Sequence, residues 1–446
     1  MRFSELEGAR VGVWGAGREI ASFAGQLQRR LPGARIAVAA FDEPPAGAAL
    51  SVVEAAQARV VGPEAALDEL AGCDVVVRSP GVSSHRPELR ALFAMGTPVT
   101  TATSLWMAER GGRAVIGVTG TKGKSTTAAL ACHLARASGC TAELAGNIGR
   151  PALDLLDADP EALAVVELSS YHLADMAAGP EVAVVTNLFA EHADWHGSER
   201  AYREDKLRIL DLPGVREAVL PARDAELAGA ATHAATRLFG SPRGWDAAAE
   251  GVLFEGRPRL AAASLPLPGA HNALNLCAAL AALEAAGVAV GDLESSLAGF
   301  SGLPHRLQTV LQRDGVRWVD DSISTTPESA LAALASFPDS SLVLLAGGQD
   351  RGQDYAGLGS ELGRRGAVAI GMPTTGPRLL GAALEAGLPA ERALSAEDLA
   401  DAVALARSHA RAGTVVLLSP AAPSYDRFRD FEERGTRFAQ LARDGR

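Results

Sequence analysis

Ala114-Val-Ile-Gly-Val118-Thr-Gly120-Thr-Lys-Gly-Lys-Ser-Thr126 decides the fold of this chain. Ala114–Val118 is an apolar run of strand length and reads as a buried strand. A glycine-rich loop follows, and a helix is expected from about Ser125. Strand, glycine loop and helix in that order are the setting a phosphate loop needs. The glycines let backbone N–H groups close around phosphate oxygens. Lys124 reaches the β/γ-phosphates and the Ser125 hydroxyl holds Mg²⁺, while the helix N-terminus adds a positive end. The strict spacing would put glycine at 118, where this chain has Val118, so the loop is a shortened variant that keeps the Gly123-Lys124-Ser125 core. Gly120, Thr121, Lys122, Gly123, Lys124, Ser125 and Thr126 are therefore the candidate nucleotide-binding residues. A glycine turn with a surface lysine is the plainer alternative.

Two further buried strands follow, Ala164–Val166 and Val182–Val185. Glu167 ends the first, and an acid at the carboxyl end of a parallel strand beside a phosphate loop suits a metal ligand. After the second comes Asn187-Leu-Phe-Ala-Glu191-His192-Ala-Asp194-Trp-His196, which crowds metal-capable groups at a strand end. His192 is the candidate there, for magnesium or for a phosphate. Lys206, in Tyr202-Arg-Glu-Asp-Lys206-Leu, reads by itself as a solvated lysine at a helix start.

Outward from this centre the chain repeats strand, glycine turn and helix. Arg10–Trp14 is a strand, Gly15-Ala16-Gly17 a tight turn, Arg18–Arg30 a helix, and Arg35–Phe41 a strand ending at Asp42. The Gly-x-Gly turn with an acid on the next strand echoes a dinucleotide fingerprint, but Ile20 stands where its third glycine belongs. Asp74–Val77 runs into Ser79-Pro80-Gly81. Gly111-Gly112 reads as a hinge. Beyond Gly302-Leu303-Pro304, strands are expected at Val316–Val319, Leu342–Leu345, Ala367–Ile370 and Val415–Leu418, with helices at Glu328–Ser336 and Glu397–Arg411. The fold class is α/β in three domains, each a mainly parallel sheet with helices: a Rossmann-like domain over 1–110, a phosphate-loop ATPase domain over 111–305 and a second Rossmann-like domain over 306–446.

The 446 residues suit about three domains. Acidic residues outnumber basic ones by 53 to 42, a net charge of −11, which argues against general nucleic-acid binding. No apolar run is long enough for a membrane span, and the first residues lack the apolar core of a signal peptide. The four cysteines, Cys73, Cys132, Cys140 and Cys277, are scattered without a CxxC pair. Neither a disulfide framework nor a cysteine zinc site is expected, and a reducing cytoplasm is the expected setting.

Taken together and in order, these motifs resemble the Mur ligase family of peptidoglycan synthesis, over nearly the whole chain. The pieces are Ser79-Pro80-Gly81, Gly120–Thr126, Gly146-Asn147-Ile148-Gly149, Glu167-Leu-Ser-Ser170, Asn187 through Asp194, Lys206-Leu-Arg, His271-Asn272 with Asn275, Leu303-Pro304-His305-Arg306, Asp321-Ser322, and Leu418-Ser419-Pro420 through Phe431-Glu-Glu-Arg-Gly435. Within the family the chain is similar to the glutamate-adding branch. The resemblance implies an ATP- and Mg²⁺-dependent amide ligase. It would phosphorylate the terminal carboxylate of UDP-N-acetylmuramoyl-L-alanine, and the amine of glutamate would attack the acyl phosphate.

Carried over position by position, the resemblance implies catalytic roles for Lys124, Glu167, His192 and Lys206. Ser125, Glu167 and His192 would bind magnesium, and Lys206 would join them if carbamylated. Asn272, Arg306 and Asp321 would contact ATP. Gly15, Ala16, Gly17 and Asp42 fall where the uridine nucleotide is held, with Ser79, Pro80, Gly81, Asn147, Ser169 and Ser170 as further contacts to that substrate. Thr325, Arg351, Ser424, Tyr425 and Phe431 would serve the amino acid. Tyr171-His172 replaces the more usual Phe-Gln. Asp321-Ser-Ile-Ser-Thr-Thr-Pro327 replaces the more usual Asp-Ser-Lys-Ala-Thr-Asn, and Arg351 stands in place of lysine. The segments Asp321–Pro327, Asp350-Arg351-Gly352 and Asn187 through Gly197 resemble the variant that adds L-glutamate, with a separate epimerase downstream; neutral drift within a D-glutamate enzyme is the alternative. A monomer is expected.

Three other readings are weighed on the same residues. A kinase or transport ATPase would share the phosphate loop. A nicotinamide oxidoreductase would use Gly15-Ala-Gly17 but leaves that loop unexplained. A catalytically dead binding protein is opposed by the intact Lys124, Glu167 and His192.

Overall fold

The computed structural model describes residues 1–42, 45, 48–189, 193–267, 269–300, 302–338 and 340–444. The chain divides into two compact units, Met1–Phe300 and Ser301–Arg446.

The first unit opens with strands β1 (Arg10–Trp14), β2 (Arg35–Ala40), β3 (Arg59–Val61), β4 (Val75–Arg78) and β5 (Val99–Thr100). They form one parallel sheet in the order β3-β2-β1-β4-β5. Helices cover both faces, so the strand sequences are almost wholly apolar rather than alternating. The helix Arg18–Arg30 lays Ile20, Phe23 and Leu27 on the sheet at helical spacing. Because β1 lies between β2 and β4, the chain reverses direction across the sheet there, and the loops after β1 and β4 open a crevice between them.

The same unit continues with β6 (Val115–Thr119), β7 (Ala142–Gly146), β8 (Leu163–Glu167), β9 (Val182–Val185), β10 (Glu217–Pro221) and β11 (Ala235–Phe239). This second parallel sheet has the order β11-β10-β9-β6-β8-β7. A small antiparallel sheet follows, of β12 (Trp245–Ala248), β13 (Gly251–Phe254) and β14 (Arg257–Ala261). The helices Lys124–Ala137 and Ala270–Ala285 pack over the second sheet; the latter buries Ala273 and an unbroken run from Asn275 to Leu283.

Both large sheets of this unit share a core. One hydrophobic cluster runs from Val11 and Phe23 through Leu105 and Trp106 to Val166 and Tyr202. Polar contacts add to it: Ser22 Oγ donates to Asp154 at 2.6 Å and Gln26 Nε2 to Asp157 at 2.8 Å. Gly111 and Gly112, read above as a hinge, take left-handed φ angles of 68° and 73° where the helix Ala102–Arg110 ends. A Cβ on Gly112 would lie 2.5 Å from the Gly179 carbonyl oxygen, so glycine is required there by close approach as well as by φ.

The second unit holds β15 (Gln308–Arg313), β16 (Val316–Asp320), β17 (Ser341–Ala346), β18 (Val368–Gly371), β19 (Ala393–Ser395) and β20 (Thr414–Leu418), in the order β15-β16-β20-β17-β18-β19. β15 is antiparallel to β16 and every other pair is parallel. Each of the four strands expected from the sequence is present, with ends within a residue or so. β15 and β19 were not among them: β15 has side chains exposed or half-buried throughout and lacks the apolar run that marks the others, and β19 has only three residues.

One expectation is corrected. Lys206 does not start a helix: it lies in the last turn of Glu199–Leu207, which Ser198 caps by accepting from the Ala201 N–H. Nor is it solvated, being 2% exposed.

Among the described residues no helix is long and apolar enough to cross a membrane. All four cysteines are free thiols, and burial pushes Cys277 up to about 12.

Candidate active site

Three neighbouring strands of the second sheet, β8, β6 and β9, end side by side, and each contributes to one site. The loop after β6 is Gly120–Gly123. Gly120 has φ 141°, and a Cβ there would lie 2.0 Å from Thr186 Oγ1. Gly123 has φ 81° and immediately precedes the helix Lys124–Ala137. The loop after β9 braces this one: the Lys122 N–H donates to Asn187 Oδ1 at 2.8 Å, Asn187 Nδ2 returns a bond to the Lys122 carbonyl at 2.9 Å, and Thr186 Oγ1 donates to the same carbonyl at 2.7 Å. Lys124 Nζ donates to the Thr121 carbonyl at 2.8 Å, folding the side chain back over the loop. Ser125 and Thr126 lie in the first helical turn, half-buried. This is a preformed anion cradle at a helix N-terminus.

Glu167 closes β8, 1% exposed. Its Oε1 accepts from Asn147 Nδ2 at 3.0 Å, while Oε2 is buried without a hydrogen-bond partner among the described residues. A buried carboxylate oxygen without a donor is costly, and a divalent cation would satisfy it. Asn147 is held in turn by its own N–H, which donates to the Glu167 carbonyl at 3.0 Å. The expected ligand His192 lies outside the described residues, as does Glu191.

Lys206 shares one helix face with Tyr202 and Asp205, at i, i+3 and i+4. Its Nζ stands 5.1 Å from the centroid of the Tyr202 ring. The Tyr202 hydroxyl bonds Thr121 Oγ1 at 2.8 Å, so the lysine's helix is anchored on the phosphate loop. Asn272 is also brought to the loop. It accepts from Asn275 Nδ2 at 3.3 Å, and a Cβ on Gly123 would lie 2.3 Å from Asn275 Oδ1.

At the crevice of the first sheet, Gly15-Ala16-Gly17 follows β1 and Ser79-Pro80-Gly81 follows β4. Ser79 Oγ donates to the Ala16 carbonyl at 3.2 Å, and a Cβ on Gly15 would lie 2.9 Å from that of Ser79. Asp42, just past β2, accepts from Arg86 Nη1 on both oxygens at 2.8 and 2.7 Å. Ser169 and Ser170 follow Glu167. Ser169 Oγ bonds His172 Nδ1 at 2.7 Å, and His172 Nε2 bonds the partly buried Glu19 of the helix Arg18–Arg30. Burial opposes the Glu19 charge, but His172 outweighs it and holds the carboxyl below its ordinary range.

Sequence reasoning passed over His85 and Asp205 and left His196 without a role. All three meet in the first unit, together with Ser170. The available signal was Asp205 on the Tyr202–Lys206 face; His85 had none, because it becomes a neighbour only through the fold. Trp195 stacks on Tyr171 with centroids 4.4 Å apart and donates Nε1–H to the Gly81 carbonyl at 3.2 Å.

In the second unit, β16, β20 and β17 are likewise adjacent, and their loops gather the remaining candidates. Asp321 is buried: Oδ2 accepts from Ser419 at 2.8 Å and Oδ1 from the Leu307 N–H at 3.1 Å. Burial outweighs these bonds and pushes its carboxyl up to about 6. Arg306 is exposed and Thr325 half-buried. The Arg351 guanidinium stands 5.9 Å from the centroid of the exposed Tyr425 ring. Ser424 is buried, and Phe431 meets His305 edge-on at 6.1 Å. Burial works against a charge on His305, but Asp320 at 2.7 Å from Nδ1 outweighs it and raises that pKa.

Comparison with known proteins gives a consistent result. Residues 118–283 match the Mur ligase middle domain and residues 305–422 the Mur ligase, glutamate ligase domain. A UDP-N-acetylmuramoyl-L-alanine--L-glutamate ligase of Salinispora tropica is 44% identical, covering 100% of this chain and 99% of that protein. A protein of the same name from Xanthomonas campestris pv. campestris is 42% identical over 99% of this chain and 97% of its own length. In fold, the chain is similar to the UDP-N-acetylmuramate-alanine ligase MurC of Thermotoga maritima, with a TM-score of 0.59 at 18% identity over 98% of this chain and 100% of that one. It is also similar to a MurF ligase from the same organism in complex with ADP, with a TM-score of 0.53 at 19% identity over 99% and 96%. A phosphate loop beside a buried acid at adjoining strand ends, a full-length match at this identity and two matched family domains lead to one conclusion: the chain belongs to the Mur ligase family.

Proposed function

We propose that this Mur ligase is an ATP-dependent amide ligase that joins L-glutamate to UDP-N-acetylmuramoyl-L-alanine in peptidoglycan precursor synthesis. The observation that carries the reading is the meeting, at the ends of β8, β6 and β9, of the Gly120–Thr126 cradle with Glu167 Oε2, which has no hydrogen-bond partner among the described residues. The full-length relatives that bear this enzyme name support the choice of substrates.

The chemistry follows from the difficulty of making an amide from a carboxylate. A carboxylate resists attack by an amine because it has no good leaving group. Transfer of the γ-phosphoryl from ATP converts it to an acyl phosphate; the amine then attacks the carbonyl carbon, phosphate leaves, and the amine's proton is lost. The N–H groups of the first helical turn from Lys124 and the Lys124 ammonium would hold the phosphates in line and offset charge as it spreads over the transferring oxygens. Glu167 Oε2 and the Ser125 hydroxyl fit a magnesium ion, with Lys206 joining them if carbamylated. When bound, magnesium would supply further neutralisation of that charge. Asn147, bonded to Glu167, would orient the muramoyl end of the substrate.

In this reading residues 1–110 hold the uridine nucleotide at the Gly15–Gly17 and Ser79–Gly81 crevice, 111–305 hold ATP, and 306–446 receive glutamate. Thr325, Arg351, Ser424, Tyr425 and Phe431 would take part in that last step. Arginine offers a planar two-pronged contact where lysine offers a point charge, so Arg351 would grip a glutamate carboxylate in its own way. The reading includes action as a monomer in the cytoplasm. Use of L-glutamate would call for an epimerase downstream.

Phosphate release with ATP, Mg²⁺ and UDP-N-acetylmuramoyl-L-alanine tests the reading, with L- and D-glutamate in separate reactions. Release only with L-glutamate is the expected result. Release only with D-glutamate would overturn the stereochemistry and keep the ligase. Release without an amino acid would favour a different phosphate-loop enzyme.

A further inference from the structure

Four side chains from four separate elements form a continuous hydrogen-bonded chain in the first unit, and the ligase reading gives three of them no role. Ser170 Oγ, after β8, lies 3.0 Å from His196 Nε2, after β9. His196 Nδ1 lies 2.7 Å from Asp205 Oδ2, on the helix Glu199–Leu207. The same oxygen lies 2.9 Å from Nε2 of His85, after β4. Ser170, His196 and Asp205 are buried, and His85 is partly so.

The direction of each bond can be worked out from the outside in. Arg90 Nη2 contacts His85 Nδ1 at 2.9 Å. A guanidinium only donates, so Nδ1 of His85 is bare and its Nε2 carries the proton given to Asp205. A carboxylate is ordinarily ionised at neutral pH, and Asp205 Oδ2 is reached by a ring nitrogen of each histidine. An ionised carboxylate only accepts, so His196 Nδ1 also donates. In the neutral ring that leaves His196 Nε2 bare, and the Ser170 hydroxyl donates to it.

The three ligand-type atoms of His85, His196 and Asp205 lie within 4.8 Å of one another. A zinc with Zn–N bonds of about 2.0–2.1 Å would set its ligand atoms roughly 3.3 Å apart. The N···O separations of 2.7 and 2.9 Å, with Arg90 on the far nitrogen of His85, are those of hydrogen bonds.

We propose that His85, Asp205 and His196 are positioning residues for the ligation, forming a relay that fixes the direction of the Ser170 hydroxyl. The relay joins the loop of Ser79–Gly81, the loop that follows Glu167 and the helix of Lys206. Each of these carries a residue assigned above to substrate or metal, so the proposal rests on the ligase reading for its effect on rate. Its hydrogen-bond polarity stands on geometry alone. A carboxylate that fixes the tautomer of a histidine, which in turn orients a hydroxyl, is a known way to set polarity at a reacting centre.

Two measurements test it. Histidine ring ¹⁵N spectra of the intact wild-type protein, assigned by loss of one signal set in His196→Gln and another in His85→Gln, should show His196 protonated on Nδ1 and His85 on Nε2. The opposite tautomer at His196 overturns the relay, whatever the enzyme's activity. In steady-state assays His85→Phe, which keeps a ring but no donor, should lower kcat about tenfold, a second-sphere magnitude, with KM for ATP unchanged. His85→Gln, which restores an N–H donor, should recover most of that loss. Because His85 acts through Ser170, His85→Phe should cost much less in a Ser170→Ala background. Equal losses in the Phe and Gln variants, or additive losses in the double variant, overturn the positioning role. A wild-type enzyme that fails to ligate overturns the ligase reading and leaves the spectra to decide the relay.

Discussion

Tyr202 and Thr121 meet hydroxyl to hydroxyl at 2.8 Å, which ties the first residues of the phosphate loop to the helix that carries Lys206. Thr121 keeps other partners: its oxygen accepts from the Phe189 N–H at 2.9 Å and contacts the Phe189 carbonyl at 3.2 Å. The Tyr202 ring also lies under Lys206 Nζ and meets the His196 ring edge-on at 5.3 Å. Tyr202→Phe therefore removes one bond and keeps the packing. The expected cost is about 1 kcal/mol, seen as a fall of a few degrees in melting temperature, with a several-fold rise in KM for ATP. Tyr202→Leu removes the seat of Lys206 as well and should lower kcat far more. Equal kinetics in the two variants would show that the ring does not position the lysine.

Glu167 carries a buried oxygen with no donor among the described residues, and that makes its removal informative in two directions. Glu167→Gln keeps an acceptor for Asn147 but removes the charge. Without metal the variant should be at least as stable as wild type, because a buried carboxylate with only one oxygen hydrogen-bonded among the described residues is costly. With magnesium the order should reverse, since only a ligand that binds the native state stabilises it. Melting curves with and without MgCl₂ check this, and the Mg²⁺ concentration for half-maximal phosphate release should rise roughly tenfold or more. A magnesium-induced shift of equal size in both proteins would remove Glu167 from the metal site.

Much of this arrangement was legible in the sequence because parallel strands buried on both faces are written as apolar runs. Arg10–Trp14, Val182–Val185 and the phosphate loop with its helix are read from short stretches, and chemistry in such sheets lies at the carboxyl ends of strands. β15 was not legible: Gln308–Arg313 is a half-exposed edge strand without that signature. Lys206 was misread because burial is a property of the fold: the Tyr202 ring beside it is anchored on Thr121, 81 positions from Tyr202. The relay was missed for the same reason. His85 and Asp205 are 120 positions apart, and nothing local to either marks a partner.

Arg434 is 1% exposed and spans three acceptors of the second unit: Ser322 Oγ at 3.0 Å, the Ser322 carbonyl at 2.9 Å and the Ala422 carbonyl at 3.1 Å. Burial lowers its pKa to about 10, which leaves it charged at neutral pH. It pins the loop after β16 to the loop after β20, the two that carry Asp321, Thr325, Ser424 and Tyr425. Arg434→Met fills the volume but leaves the acceptors without donors, so a loss of about 3 kcal/mol is expected. Urea unfolding of the full chain measures it. Arg434→Lys should recover only part, because one ammonium cannot reproduce the planar fork. A methionine variant as stable as wild type would mean that water or neighbouring donors satisfy those carbonyls.

Asp321 lies on the same loop, and its pKa makes a directional claim about pH. Burial pushes the folded-state value up to about 6 from an ordinary 3.8. A carboxyl with a raised folded pKa releases its proton more readily in the unfolded chain. Its stabilising contribution is therefore complete below about pH 4 and is lost as pH rises through 6. The loss is roughly 3 kcal/mol for a shift of this size. Asp321→Asn cannot ionise, so it should lack this part of the pH dependence. The stability of wild type relative to the asparagine variant should fall between pH 4 and pH 7 and stay level above that. Raised in the same direction, His305 also withdraws stability as pH rises through its folded value. It does so in both proteins, and the comparison removes it. Denaturant unfolding at a series of pH values reads the difference. Parallel curves across that range would mean that the bonds from Ser419 and the Leu307 N–H hold the carboxylate charged despite its burial.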